Sequence, residues 1–368
     1  MTAFLKFSVW PAIAGLLAAM IILQNWVLPG AASNAVVTRD TSYREAVSKA
    51  TPSVVNIYTE TVVTTRRNPM VNNPLMPIPR SVPRQRIERS LGSGVIMSDS
   101  GYILTNNHVV EGVDAIGVVL SDGRFASAER IGGDRDTDLA LLKIDLEGLS
   151  VMELADSDYL SVGDVVLAIG NPLGFGHSVT QGIVSGLGRF SLTPGTFEGL
   201  IQTDAVIHAG NSGGALVDTD GKLIGINRLI YTATDSGNGM TGIGISLAIP
   251  SNIAEFVMDD LIRYGRVIRG WLGIQVEQVP NPDDTSRAIL RVLGVAPDGP
   301  AERAGLQAGD IITHFENEPV DDVRLAMYEV SLLRPGDQLN LTVNREAAGS
   351  LDLTAVIATQ PETSATTP

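Results

Sequence analysis

Residues 7–38 carry no charged side chain, and residues 9–28 are almost wholly apolar, with Lys6 ahead of them. About twenty apolar residues in a helix match the thickness of a bilayer core, and a basic flank keeps its own end in the cytoplasm. The pattern predicts an N-terminal transmembrane helix over residues 1–30, with Trp10 and Trp26 near its two ends and Pro29–Gly30 closing it. A cleaved signal peptide is the alternative, with Ser33–Asn34–Ala35 as the small-residue site. The apolar run exceeds the usual signal core of roughly 7–15 residues, which favours the anchor. Either reading exports the rest of the chain.

Beyond the anchor the period changes. Residues 31–50 read as a small-residue linker and a short helix, because Ser42–Tyr43–Arg44–Glu45 has capping-box spacing ahead of Pro52. Strand material starts at Ser53–Tyr58. Residues 64–90 hold five Pro and six Arg with little periodicity, which predicts a long exposed loop. From about Leu91 to Pro250, short apolar runs recur between Gly, Asn and Asp, among them Gly94–Met97, Ile116–Leu120, Leu139–Leu142 and Val165–Ile169. That spacing predicts a sandwich or barrel rather than alternating β/α units. Ser251 is expected to cap a helix whose apolar positions are Ile253, Phe256, Val257, Leu261 and Ile262, with Gly265 ending it. A short link to Gly270 leads into a second β-rich unit, and residues 361–368 form a polar tail. The expected domains are therefore 1–30, 31–50, 51–265, 266–360 and the tail.

Composition narrows the function. A chain of 368 residues holds two or three domains, and 44% hydrophobic against 18% charged residues supports real cores. The net charge of −15 repels phosphate backbones and argues against nucleic acid. Fourteen acids against seven bases in residues 268–359 concentrate that charge in the second unit. With no cysteine, a thiol nucleophile, a disulfide framework and thiolate metal sites are excluded. The four histidines, His108, His177, His208 and His314, show no metal-ligand spacing, so no cofactor is expected.

The informative segment is Gly210–Asn211–Ser212–Gly213–Gly214. A serine on a tight glycine turn can project its hydroxyl, while neighbouring amides turn toward the same point. Such a hydroxyl needs a base, and the base needs an orienting acid. His108 follows the apolar strand Tyr102–Leu104, and Asp138 stands just before the apolar run Leu139–Leu142. Each feature alone has an ordinary structural reading. The three together point to nucleophilic catalysis. His208 either lines the cleft or lies on the surface.

Thr105–Asn106–Asn107–His108–Val109–Val110, Thr137–Asp138–Leu139–Ala140 and Gly210–Asn211–Ser212–Gly213–Gly214–Ala215–Leu216 resemble the catalytic motifs of the HtrA/Deg serine proteases. Leu91–Ile96, Ala168–Pro172, Gln181–Ser185 and Gln202–Ala205 extend the resemblance, which covers about residues 40–360. It implies a mainly β fold, a chymotrypsin-like double β-barrel, that cleaves protein substrates. His108 is then the general base, Asp138 its orienter and Ser212 the nucleophile, with the amides of Gly210 and Ser212 as the oxyanion hole. Ala209 replaces a proline found in many relatives, which either loosens that hole or is neutral. Ile226, Leu229 and Leu247 are candidate walls of a shallow pocket for a small or medium aliphatic residue, with plain core packing as the alternative.

Arg269–Ile274, Pro297–Leu306 and Ala308–Ile312 resemble the opening strand, short helix and Gly-Asp strand entry of one PDZ domain. Trp271, Leu272, Gly273 and Ile274 are its candidate peptide-binding residues, with a purely structural PDZ domain as the alternative. One anchor, one protease domain and one PDZ domain resemble the membrane-anchored, stress-sensing DegS/AlgW branch of the family. That likeness implies a homotrimer of the bacterial inner membrane, single-pass, with its catalytic and PDZ domains in the periplasm. It also implies cleavage of a membrane-bound anti-sigma factor when C-terminal peptides of outer-membrane proteins bind the PDZ domain. Arg189 matches a family arginine of the activation network, and the loop region 171–191 is the expected moving part. A general quality-control protease, or a peptide-binding scaffold with a dormant triad, are the competing readings.

Overall fold

The computed structural model describes residues 14–20, 42–65, 84–171, 176–189, 199–208, 210–228, 245–281, 288–320, 322–346 and 348–360. The chain divides into two compact units, Met1–Arg44 and Glu45–Pro368. In the first, residues 14–20 are helical and exposed. Among the described residues no helix is long and apolar enough to cross a membrane. Most of the expected anchor, residues 1–13 and 21–30, lies outside them.

Helix α1 (Arg44–Ala50) precedes a closed barrel in the second unit. Its strands are β1 (Val54–Thr65), β2 (Arg84–Ile96), β3 (Tyr102–Asn106), β4 (Ala115–Val119), β5 (Phe125–Asp134) and β6 (Leu139–Ile144). They close in the order β1-β2-β3-β6-β5-β4, and the one-turn helix α2 (Asn107–Val110) follows β3. Val55, Ile57, Ile96, Ile103, Val118 and Leu142 fill the interior. A second closed barrel has the order β10-β11-β12-β9-β8-β7. Its strands are β7 (Val165–Gly170), β8 (Ser178–Arg189), β9 (Leu200–Thr203), β10 (Ala215–Val217), β11 (Leu223–Arg228) and β12 (Ser246–Pro250).

Two expectations about loops are corrected. Residues 84–90 are strand, because β1 and β2 stay in antiparallel register from Val54↔Val95 out to Thr65↔Arg84. Residues 66–83 lie outside the described residues. Within 171–191, residues 178–189 form β8, paired with β7 and β9. Their glycines had read as loop, whereas Gly182 is the point where the backbone of Ala205 and the carboxylate of Asp204 come close.

Helix α3 (Ser251–Tyr264) packs against both barrels. Pro250, not Ser251, occupies its N-cap position, and Ser251 Oγ donates instead to Ala155 O at 2.7 Å. Gly265 ends the helix in the left-handed region with φ +68°, its N–H bonded to Leu261 O. A five-strand path follows in the order β14-β15-β16-β18-β19, made of β14 (Ile274–Pro280), β15 (Ala288–Val295), β16 (Ile311–Phe315), β18 (Gln338–Arg345) and β19 (Gly349–Val356). The two-residue strand β17 (Glu318–Pro319) pairs with β16, and β13 (Gly270–Trp271) pairs with β20 (Ala358–Thr359). Helices α4 (Pro300–Arg303) and α5 (Val323–Leu332) complete this domain. Its core includes Leu272, Leu290, Ile312, Phe315, Leu341 and Val343.

Candidate active site

Strand β3 delivers His108. Val109 and Val110 are buried in the first barrel and fix α2, which leaves the His108 side chain 41% exposed. Asp138 stands one residue before β6 with φ +58°, a conformation a non-glycine residue adopts only when its surroundings hold it. Four contacts do so. Its carbonyl accepts Asn107 N at 2.9 Å and Asn106 Nδ2 at 3.1 Å. Its Oδ1 accepts His108 N at 2.9 Å, and Oδ2 lies 2.7 Å from His108 Nδ1. A carboxylate only accepts, so the imidazole carries its proton on Nδ1 and presents Nε2 as an acceptor.

Ser212 sits on the turn before β10, flanked by Gly210 at φ +93° and Gly213 at φ +82°. A Cβ on Gly213 would strike Ser93 O and Thr105 Oγ1, so the Ser212 turn packs directly on the end of the strand that leads to His108. Gly213 N donates to Asn227 O at 2.9 Å, Asn227 N to Gly214 O at 2.8 Å, and Ser93 N to Ser212 O at 2.9 Å. Ser93 Oγ donates to Gly210 O at 2.7 Å and accepts Asn171 N at 2.8 Å. Thr105 Oγ1 donates to Ser93 O at 2.7 Å. Ser93 therefore ties the two barrels together at the candidate oxyanion hole. Its position in a strand gave no catalytic signal in the sequence.

The other predicted residues are spread more widely. Ile226 is fully buried in β11, Leu247 is buried in β12, and Leu229 lies outside the described residues. Ala209 lies outside them too, and His208 is exposed. Arg189 is exposed at the end of β8, with its guanidinium lying over Gly186. Just before it, Leu187 and Gly188 line a cleft of ≈ 470 Å³ whose opposite wall is Leu325, Tyr328 and Leu332 of α5. Burial and the nearby Asp158 charge push the Tyr328 phenol up. Leu272 is buried, and its carbonyl accepts Ala301 N. Gly273, at φ +77°, packs under the Trp271 indole, and Ile274 opens β14, the outer strand of its sheet path.

A joint between protease and second domain was not anticipated. Arg269 Nη1 and Nη2 donate to Asp134 Oδ1 and Oδ2 at 2.9 and 2.6 Å, and Nη1 lies 3.5 Å from Asp136. Burial alone would raise the Asp134 carboxyl, but Arg269 and Thr137 outweigh it and hold the group below its ordinary range. Burial raises the Asp136 carboxyl. Nearby, Arg334 Nη1 donates to Asp260 Oδ2 at 2.6 Å and to Ile268 O at 3.1 Å, with its guanidinium 3.9 Å from the Phe256 ring centroid.

Two six-stranded barrels with a His–Asp pair at their junction and a serine turn packed beside it define a chymotrypsin-like serine protease domain, here followed by a PDZ domain. The family model of the trypsin-like peptidase domain matches residues 92–226, and that of the PDZ domain matches residues 270–355. The serine endoprotease DegS of Escherichia coli (strain K12) is 42% identical over 83% of this chain and 82% of its own length. A probable periplasmic serine endoprotease DegP-like of a Marinomonas species is 40% identical over 89% of this chain and 73% of its own. The solved structure of the HtrA-type protease AlgW with a decapeptide is 44% identical at a TM-score of 0.68, covering 87% of this chain and 99% of that one. The chain belongs to the HtrA-type serine proteases and is a serine endopeptidase.

Proposed function

We propose that the protein is a PDZ-regulated endopeptidase of the cell envelope, held at the inner membrane by residues 1–30, with its catalytic and PDZ domains in the periplasm. Ser212 Oγ attacks the scissile carbonyl while His108 Nε2 takes its proton, and Asp138 stabilises the imidazolium that forms. The amides of Gly210 and Ser212 receive the oxyanion, and His108 returns the proton to the leaving amine. Water then releases the acyl group by the same steps. Ile226, Leu229 and Leu247 are assigned to the wall of the substrate pocket.

The edge of β14 beside α5 suits an added peptide strand, with the Trp271–Ile274 segment receiving the terminal carboxylate. The occupants assigned to it are C-terminal peptides of misfolded outer-membrane proteins, and the substrate is a membrane-bound anti-sigma factor cut by a homotrimer. The observation that carries the regulatory reading is the Arg269 joint. Asp134 ends β5 and Asp136 lies in the turn that ends in Asp138, so a PDZ rearrangement is felt at the candidate triad. Arg189, beside the cleft under α5, is assigned to the same relay.

The test is cleavage of a reporter ectodomain by the purified protein, with and without peptides bearing a free carboxylate and an apolar last residue. A rate increase that the amidated peptide fails to produce supports the reading. Equal rates across a diverse C-terminal library remove the regulation and leave the protease standing.

A further inference from the structure

The Asp138 carboxylate has a second partner besides His108. Arg228 Nε lies 3.3 Å from Asp138 Oδ2, the oxygen that also faces His108 Nδ1, and the two side chains are 16% and 11% exposed. Arg228 closes β11 of the second barrel, whereas Asp138 precedes β6 of the first. Its position is set by Asn227, whose buried Nδ2 donates to Ile169 O at 3.1 Å and Ala215 O at 2.9 Å. Asn227 also exchanges backbone hydrogen bonds with Gly213 and Gly214. One short strand thus anchors the nucleophile turn and sends a cation to the acid of the candidate triad.

We infer that Arg228 is a positioning residue for catalysis: it holds the Asp138 carboxylate, and through it the His108 ring, from the opposite barrel. One effect follows from the geometry. A carboxylate held by His108 on one side and by a cation at ion-pair distance on the other cannot swing away from Nδ1 when the imidazole turns toward its substrate.

The neighbouring charges are engaged away from the Asp138 carboxylate. Arg130 bonds Asn107 Oδ1 on the short helix of His108 at 2.9 Å. Glu111 is paired with Arg135, and Arg269 takes Asp134 in two hydrogen bonds with Asp136 3.5 Å away.

The inference rests on the triad assignment, and the experiment separates the two. With the purified full chain in detergent, kcat and KM for a peptide reporter are measured, alongside the rate at which an organophosphonate labels Ser212. Arg228→Gln and Arg228→Met are expected to lower kcat and the labelling rate about tenfold with KM little changed. Arg228→Lys, which keeps a cation beside Asp138, should restore most of both rates. An unmoved kcat in Arg228→Gln and Arg228→Met overturns the proposal. So does a uniform loss in all three variants that tracks a lowered Tm, since packing alone would then explain it. Hydrolysis surviving in Ser212→Ala would instead overturn the triad, whatever Arg228 does.

Discussion

A carboxylate that must hold a histidine in one orientation cannot itself be free to turn. The left-handed backbone of Asp138 puts its carbonyl on Asn106 and Asn107 and both its carboxylate oxygens on His108. Asparagine tolerates this φ and keeps the shape, but its amide can donate to Nδ1 and so favours the wrong tautomer. Asp138→Asn should therefore keep the fold, with a Tm lowered by the loss of the Arg228 ion pair, while lowering hydrolysis on the order of 10⁴-fold, read with a reporter peptide. Ser93→Ala acts differently, because it strips one donor and one acceptor from the buried joint at Gly210 and Asn171. We expect it to cost about 1–3 kcal/mol in unfolding experiments and to slow organophosphonate labelling of Ser212. His108, Asp138 and Ser212 stood out as candidates because each sits in its own local signal: a strand end, a pre-strand acid, a glycine turn. Ser93 and Arg228 did not. Their partners, Gly210 for one and Asp138 for the other, are distant in sequence, and only barrel closure brings them together.

At the scale of elements, periodicity worked where one face is buried and failed where neither is. The apolar run of β6 is buried on both faces, so it read as a strand from composition alone. The outer half of the β1–β2 hairpin offers no such contrast. Val62 and Ile87 pair across it in register yet are both exposed, and the arginines around them gave the polar look of a loop. The same reasoning explains why the helix α3 was placed correctly while its first residue was not: an apolar stripe marks a helix, but Ser251 bonds Ala155 rather than its own helix end. Close approach is equally invisible in sequence. A Cβ at Gly132 of β5 would lie 2.9 Å from Leu261 Cδ2 and 3.0 Å from Gly265 O, so this glycine lets α3 lie against the first barrel. Gly132→Val should force that helix outward, lower Tm by several degrees and weaken its hold on the chain leading to the PDZ domain. A thermal unfolding curve unchanged from the parent would show that the helix has room to spare.

In the whole molecule, the charged joint is the place where folding energy and the proposed regulation meet. Arg269 and Asp134 are nearly buried, so removing the arginine alone leaves an unpaired carboxylate, a change worth about 3–5 kcal/mol in a well-closed site. Arg269→Met should therefore lower stability most at neutral pH. The sign follows from Asp134, whose carboxyl is held below its ordinary value in the folded protein. A depressed carboxylate contributes stability above its unfolded pKa, and that contribution is lost as pH falls through the folded value. The Tm gap between parent and Arg269→Met should narrow on acidification and vanish once Asp134 is protonated in both. Under the proposed regulation the joint is assigned to the resting arrangement, and deleting a contact made in one state shifts the balance toward the other. The same variant should thus show a higher peptide-independent cleavage rate and a smaller fold-stimulation by peptide, measured at neutral pH below its Tm. A basal rate equal to the parent's, with the Tm gap present, would assign the joint to stability alone and place the coupling between domains elsewhere, at the cleft between α5 and Leu187–Gly188.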